Sequence, residues 1–195
     1  MRFIRKLYDW VLHWADTPYG SPALLLLAFS EAIFFPIPPD VLLIPLALDK
    51  TKKAFYYAAL ATLASVSGAI IGYLIGAKLM QSVGYPILRF YGAMDKFEYV
   101  ATQYRAYDAI AVGIAGLTPI PFKVFTIAAG ACKLNIPRFL IAAFISRGVR
   151  FFAVSTLLFF FGERIKKFID RYFNLLTIIF AVLLVGGFII LKRLL

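Results

Sequence analysis

Cysteine and histidine are almost missing from this chain, with Cys132 and His13 the single copies in 195 residues. One cysteine rules out an intramolecular disulfide, and one thiol with one imidazole supplies no metal-ligand constellation, so neither a metal nor a cofactor is expected. Cys132 reads as a small apolar packing residue. Catalytic motifs are missing too: there is no His-Glu-x-x-His, no Gly-x-Ser-x-Gly, and no Ser/His/Asp set beyond the lone His13, so the chain is not expected to be an enzyme. His13 itself falls on the polar side of an amphipathic stretch and reads as solvated rather than as a proton relay.

Acidic residues are scarce, 10 Asp and Glu against 21 Lys and Arg, which leaves a net charge of +11. Charged residues make up only 16% of the chain, whereas 62% is hydrophobic and 17% aromatic, with mean hydropathy +0.84. A soluble domain of this size cannot bury that much apolar side chain, so the chain reads as an all-α integral membrane protein. The cations bracket apolar segments, where they meet anionic lipid headgroups; nucleic acid is not an expected partner.

What the chain does have is proline in two matched places. Pro36-Ile37-Pro38-Pro39-Asp40-Val41 and Pro119-Ile120-Pro121-Phe122-Lys123-Val124 repeat one another, each a one-charge break in an apolar run. Prolines so close together cannot continue a helix, so the runs over 21–49 and 108–133 read as re-entrant helical hairpins, with Pro36, Pro38, Pro39, Pro119 and Pro121 at the breaks and Pro45 a further cut in the first. Each hairpin precedes a full span, over 54–78 and 138–163. One span between two hairpins makes the repeats inverted, so that the breaks meet near the midplane. The constant offset carries Asp40 onto Lys123 and puts those two side chains near each other.

Around this unit, over 21–165, the sequence predicts an amphipathic interfacial helix over 1–20 and a further transmembrane helix over 172–192. Phe3, Leu7, Trp10 and Trp14 share one stripe of the first, opposite Arg2, Arg5 and Lys6; Asp9, His13 and Asp16 argue against a cleaved signal peptide. Residues 81–107 are too polar to span and read as a surface connector. Gly68, Gly72 and Gly76 form a GxxxGxxxG face for close helix contact. A slight excess of cations beside Arg2, Arg5, Lys6, Lys50, Lys52 and Lys53 predicts a multi-pass protein of the cell inner (plasma) membrane with a cytoplasmic N-terminus.

Intramembrane charges are Glu31 and Asp40 against Lys123, Arg147 and Arg150, one cation in excess. Arg147 and Arg150, three apart, share a helical face. An anionic ligand would balance the count, and arginine forks suit a phosphate, so Lys123, Arg147 and Arg150 are the substrate-binding candidates, with Glu31 and Asp40 for proton coupling. The residues alone remain compatible with a lipid translocator, a secondary transporter of a small solute or ion, or a non-transporting membrane-organising protein whose five charges only pair with one another.

From Ser21 to Glu163 the chain resembles the DedA family, also called SNARE-associated Golgi or VTT-domain proteins, and most closely its YqaA-like branch. The resemblance rests on Glu31 ahead of Pro36 to Asp40, on Gly68, Gly72, Tyr73 and Gly76, on Thr118-Pro-Ile-Pro-Phe-Lys followed by Ala129-Gly130, and on Arg147-Gly-Val-Arg150. It implies two facing re-entrant hairpins and translocation of phospholipid or polyprenyl phosphate driven by protons, with Glu31 and Asp40 at the family's essential acidic positions. Lys123 stands where many members carry two arginines.

Overall fold

Proline placement decides where the helices stop. In the computed structural model, which describes residue 14, residues 17 to 118, residues 121 to 162 and residue 164, no strand occurs among the described residues. Helix α1 (Gly20–Glu31) ends ahead of Pro36, Pro38 and Pro39, and α2 (Asp40–Asp49) starts directly after them. Proline suits a helix start, where its missing N–H is no loss, and obstructs an interior. Pro45 departs from the expected cut by lying inside α2. It removes one hydrogen bond, to the Val41 carbonyl, while the buried Leu42, Leu43 and Leu46 hold the helix in place.

A short 3-10 segment (Thr51–Lys53) leads into α3 (Ala54–Leu79), whose 26 residues extend about 39 Å, against about 30 Å of bilayer hydrocarbon. The helical run continues through a π turn at Met80–Gly84 into α4 (Tyr85–Phe90). Pro86 accounts for the wide turn, since it cannot donate to the preceding coil and its ring needs room there. The connector then turns at Gly92, whose φ of 61° is left-handed, and forms α5 (Met94–Ala106). Next come α6 (Asp108–Leu117), a break at Thr118, α7 (Phe122–Ala131) and the long α8 (Ile136–Gly162). Asn135 caps α8 by accepting from the Arg138 N–H at 3.2 Å.

The two continuous helical runs Thr51–Phe90 and Ile136–Gly162 are each long and apolar enough to cross a membrane. Their outward residues, among them Leu63, Ile70, Leu74, Ile141, Ile145 and Phe152, form an exposed apolar belt that water would not tolerate. The expected C-terminal span over 172–192 lies outside the described residues, as does the N-terminal amphipathic helix apart from residue 14 and residues 17 to 20.

Helix α3 is the centre of the bundle, with α1 and α7 packed along it. Helix α8 runs antiparallel to it: Phe139 meets the Tyr73 ring, Arg147 bonds Ser65, Gly148 faces Thr62 and Gly162 lies by Thr51. The first helix pair shares a core with the start of α3 (Leu24, Leu43, Leu46, Tyr57, Ala61) and the second pair with its end (Tyr73, Phe122, Ala129, Phe139). The glycine stripe makes both seats possible. A Cβ at Gly68 would overlap the Phe29 carbonyl, one at Gly76 the Ile127 carbonyl, and one at Gly72 the Thr126 hydroxyl, with Ala32 O 3.1 Å away. Gly72 is therefore where the two broken helices come together on α3.

Helix α7 closes in a Schellman turn, with Lys133 left-handed at φ 54° and the Leu134 N–H donating to Ala129 O at 2.9 Å. The Leu134 carbonyl accepts from the buried Tyr73 Oη at 2.7 Å, which pins the turn to α3. Tyr73→Phe is expected to lower stability by about 0.5–1.5 kcal/mol in a denaturant titration in micelles; an unchanged midpoint would show the bond contributes nothing.

Candidate functional site

The end of α1 presents an acceptor surface. Beyond Glu31 the N–H groups of Ile33, Phe34 and Phe35 all turn back onto the Ser30 carbonyl, which curls the chain away from the helix axis. The carbonyls of Ala32, Phe34 and Phe35 then need donors from elsewhere, because a helix C-terminus leaves its last acceptors unsatisfied. Helix α7 supplies them: Lys123 Nζ donates to Phe34 O and Phe35 O, each at 3.2 Å, and Thr126 Oγ1 to Ala32 O at 2.9 Å.

The sequence expectation that Lys123 and Asp40 meet at the breaks gains its atoms here: Lys123 bonds the carbonyls of the opposite break rather than Asp40 itself. In the first turn of α7 a cation faces the positive end of its own helix dipole, and reaching across places it at the negative end of α1. Asp40 is meanwhile at the first turn of α2, the end that favours an anion, and its Oδ2 accepts from Arg150 Nη2 at 2.6 Å. Its other oxygen, Oδ1, is buried without a hydrogen-bond partner among the described residues.

Arg147 and Arg150 do share a face of α8, and together they straddle the first break. Arg147 reaches the end of α1, its Nη2 bonding Glu31 Oε2 at 2.7 Å and its Nε bonding Ser65 Oγ at 2.8 Å. Its guanidinium lies between the rings of Phe122 and Phe151, 4.9 and 4.7 Å from their centroids, a cation–π sandwich. Arg150 reaches the start of α2 and also donates from Nη1 to Thr118 O at 3.0 Å, so one side chain ties both breaks. The two arginines differ in access: the Arg147 side chain is 2% exposed and that of Arg150 20%.

All five charges singled out in the sequence thus sit around one place, two of the cations in ion pairs and Lys123 held, among the described residues, by neutral carbonyls. Of the break prolines, Pro36, Pro38 and Pro39 separate α1 from α2 and Pro121 caps α7, whereas Pro119 lies outside the described residues. Sequence reasoning missed Thr126, Phe122, Phe151 and Ser65 as parts of the site. The available signal was Gly72, whose place in the glycine stripe predicts close cover there without naming the residue that supplies it.

Comparison with known proteins places the chain in a family. Residues 37–160 match the VTT domain. An uncharacterised protein of Haemophilus influenzae is 35% identical over 193 residues, covering 99% of this chain and 100% of its own length. Relatives from Histophilus somni (34% over 167 residues, 84% of this chain and 85% of the relative) and Methanocaldococcus jannaschii (29% over 133 residues, 68% and 79%) are likewise described as uncharacterised. No solved structure matches. The matched region holds α3, Pro38 and Pro39 of the first break, the second break, Asp40, Lys123, Arg147 and Arg150, and the chain belongs to the VTT-domain family, the DedA family of membrane proteins.

Proposed function

We propose that this protein translocates an anionic lipid, a phospholipid or a polyprenyl phosphate, across the cell inner membrane, with proton movement through Glu31 and Asp40. The two broken helix pairs are re-entrant hairpins entering from opposite faces, and the N-terminus is cytoplasmic. The observation that carries the reading is the convergence of five ionisable side chains on two helix breaks inside an otherwise apolar bundle. Ionisable groups at membrane depth are retained for ion or substrate pathways far more often than for packing.

The roles divide by access. Arg147, enclosed between two phenyl rings, positions Glu31. Arg150 and Lys123 take the headgroup: Arg150 presents a fork suited to phosphate and is partly exposed, and Lys123 has only carbonyls to exchange for an anion. A proton taken up by Asp40 cancels its charge, frees Arg150 for the phosphate, and leaves on the opposite side as the ion pair re-forms. The acyl chains remain in the bilayer throughout.

The test is reconstitution into liposomes with a reporter lipid phosphate on one leaflet, with and without a proton gradient. Asp40→Asn and Arg150→Ala are each expected to cut transfer at least about tenfold, the effect of losing ~1.4 kcal/mol of interaction. Wild-type transfer no faster than in protein-free liposomes, for several headgroups, would sink the proposal. The neat pairing of Glu31 with Arg147 and Asp40 with Arg150 favours a second reading, in which the charges only lock the bundle. In that case Asp40→Asn/Arg150→Met should leave function in cells intact.

A further inference from the structure

Beside α1 lies a crevice of about 620 Å³ that meets the charged site at Phe34 and Phe35. Its wall is almost wholly apolar, running from Trp14 and Tyr19 past Leu26 and Phe29 to Phe34 and Phe35. The volume is that of a small-molecule site, about 300–1,000 Å³. Among the described residues the side-chain hydroxyls on the wall belong to Ser30, whose Oγ donates to Leu27 O, and Tyr19 at the rim. Such a cavity stays dry, and in a membrane the medium available to fill it is hydrocarbon.

The dimensions say how much hydrocarbon. The crevice follows α1, whose 12 residues rise about 18 Å, close to the ~15 Å depth of one leaflet's half of the core. Trp14 and Tyr19 lie at one end, aromatic types that favour the headgroup boundary, and Phe34 and Phe35 lie at the break. Phe29 lies against Gly68 and Ala32 against Gly72, so α1 runs parallel to α3 and its start stands at the same end of the bundle as the exposed Lys52, Lys53 and Lys50, the last paired with Asp49 at 3.5 Å. Cations at headgroup level select an anionic lipid by charge.

We infer that this crevice is a docking groove for one acyl chain of an anionic lipid, its headgroup level with Lys50, Lys52 and Lys53 and its chain end at Phe34 and Phe35. The inference rests on the membrane reading above and not on translocation. It would hold a lipid of one leaflet beside the break where Lys123 and Arg150 meet the opposite hairpin.

The full chain in nanodiscs of phosphatidylcholine and phosphatidylglycerol, doped with phosphatidylglycerol carrying a diazirine at the chain end, is photolysed and its adducts mapped by mass spectrometry. Adducts are expected to concentrate on residues 26–35, to fall about tenfold in Ala23→Trp, which fills the groove, and to persist in Leu157→Trp on the outer belt. Lys52→Glu/Lys53→Glu is expected to abolish the preference over a phosphatidylcholine probe. Ala23→Leu, a milder filling, should give an intermediate loss if Ala23→Trp fails to fold. Adducts spread evenly over the belts of α3 and α8, or cross-links from the groove to residues 1–13 or 165–195 of the same chain, would overturn the groove while leaving the membrane reading intact. No adducts on any belt residue would overturn both.

Discussion

Arg147→Met is expected to destabilise the protein by about 3–5 kcal/mol, the range for removing one partner of a buried ion pair. The side chain is 2% exposed and its partner Glu31 11%, so the carboxylate left behind can recruit little water. Ser65 loses the bond from Nε and the two phenyl rings lose the cation between them. Denaturant unfolding in micelles measures the loss. Glu31→Gln/Arg147→Met should recover most of it, because taking away both charges removes the uncompensated one. A double variant as unstable as the single would assign the effect to packing between Phe122 and Phe151 instead. Arg150→Met should cost less, since its side chain is 20% exposed and the start of α2 continues to favour the Asp40 charge.

Gly76→Val should be nearly as damaging, with a loss of about 3 kcal/mol, at the upper end of what overpacking usually brings. The obstacle at Gly76 is the backbone of Ile127, with its carbonyl carbon at 2.8 Å and Cα at 3.0 Å from an added Cβ, and backbone cannot move aside as a flexible side chain can. Helix α7 would have to lift from α3, taking Thr126 and Lys123 away from the carbonyls they serve. Gly113→Ala is the control: an added methyl there meets nothing within 4 Å, and removing a glycine from the interior of α6 should stabilise by up to about 1 kcal/mol. Both variants can be compared in the same unfolding assay, and a wild-type midpoint for Gly76→Val would show that α7 is not seated there.

The features legible in the sequence were those with a local cause. Proline forbids helix at Pro36 to Pro39 whatever surrounds it, and three glycines on one face permit close approach whatever approaches, so the breaks, α3 and the seam could be read from the chain. The partner of each charge could not. The repeat matched Asp40 with Lys123 by position, but correspondence between repeats says nothing of which atoms touch. That choice depends on helix dipoles and on which side α8 faces, properties of the assembled bundle. Pro45 was misjudged for a related reason: one lost hydrogen bond counts for little where three leucines are buried around it. Phe122 and Phe151 gave no signal, since aromatic residues in an apolar run look alike whether they meet lipid or a guanidinium.

The ion pair between Glu31 and Arg147 bridges 116 residues of chain, and this sets an order of events during synthesis. At about 5–20 residues per second, Arg147 leaves the ribosome roughly 6 to 23 s after Glu31. Thr126 and Lys123, which close the end of α1, follow it by nearly as long. Through that interval the first helix pair carries an unpaired carboxylate and open carbonyls, groups that hydrocarbon does not accept. The first helix pair therefore reaches its final bonding only once Arg147, 116 residues behind Glu31, has been made.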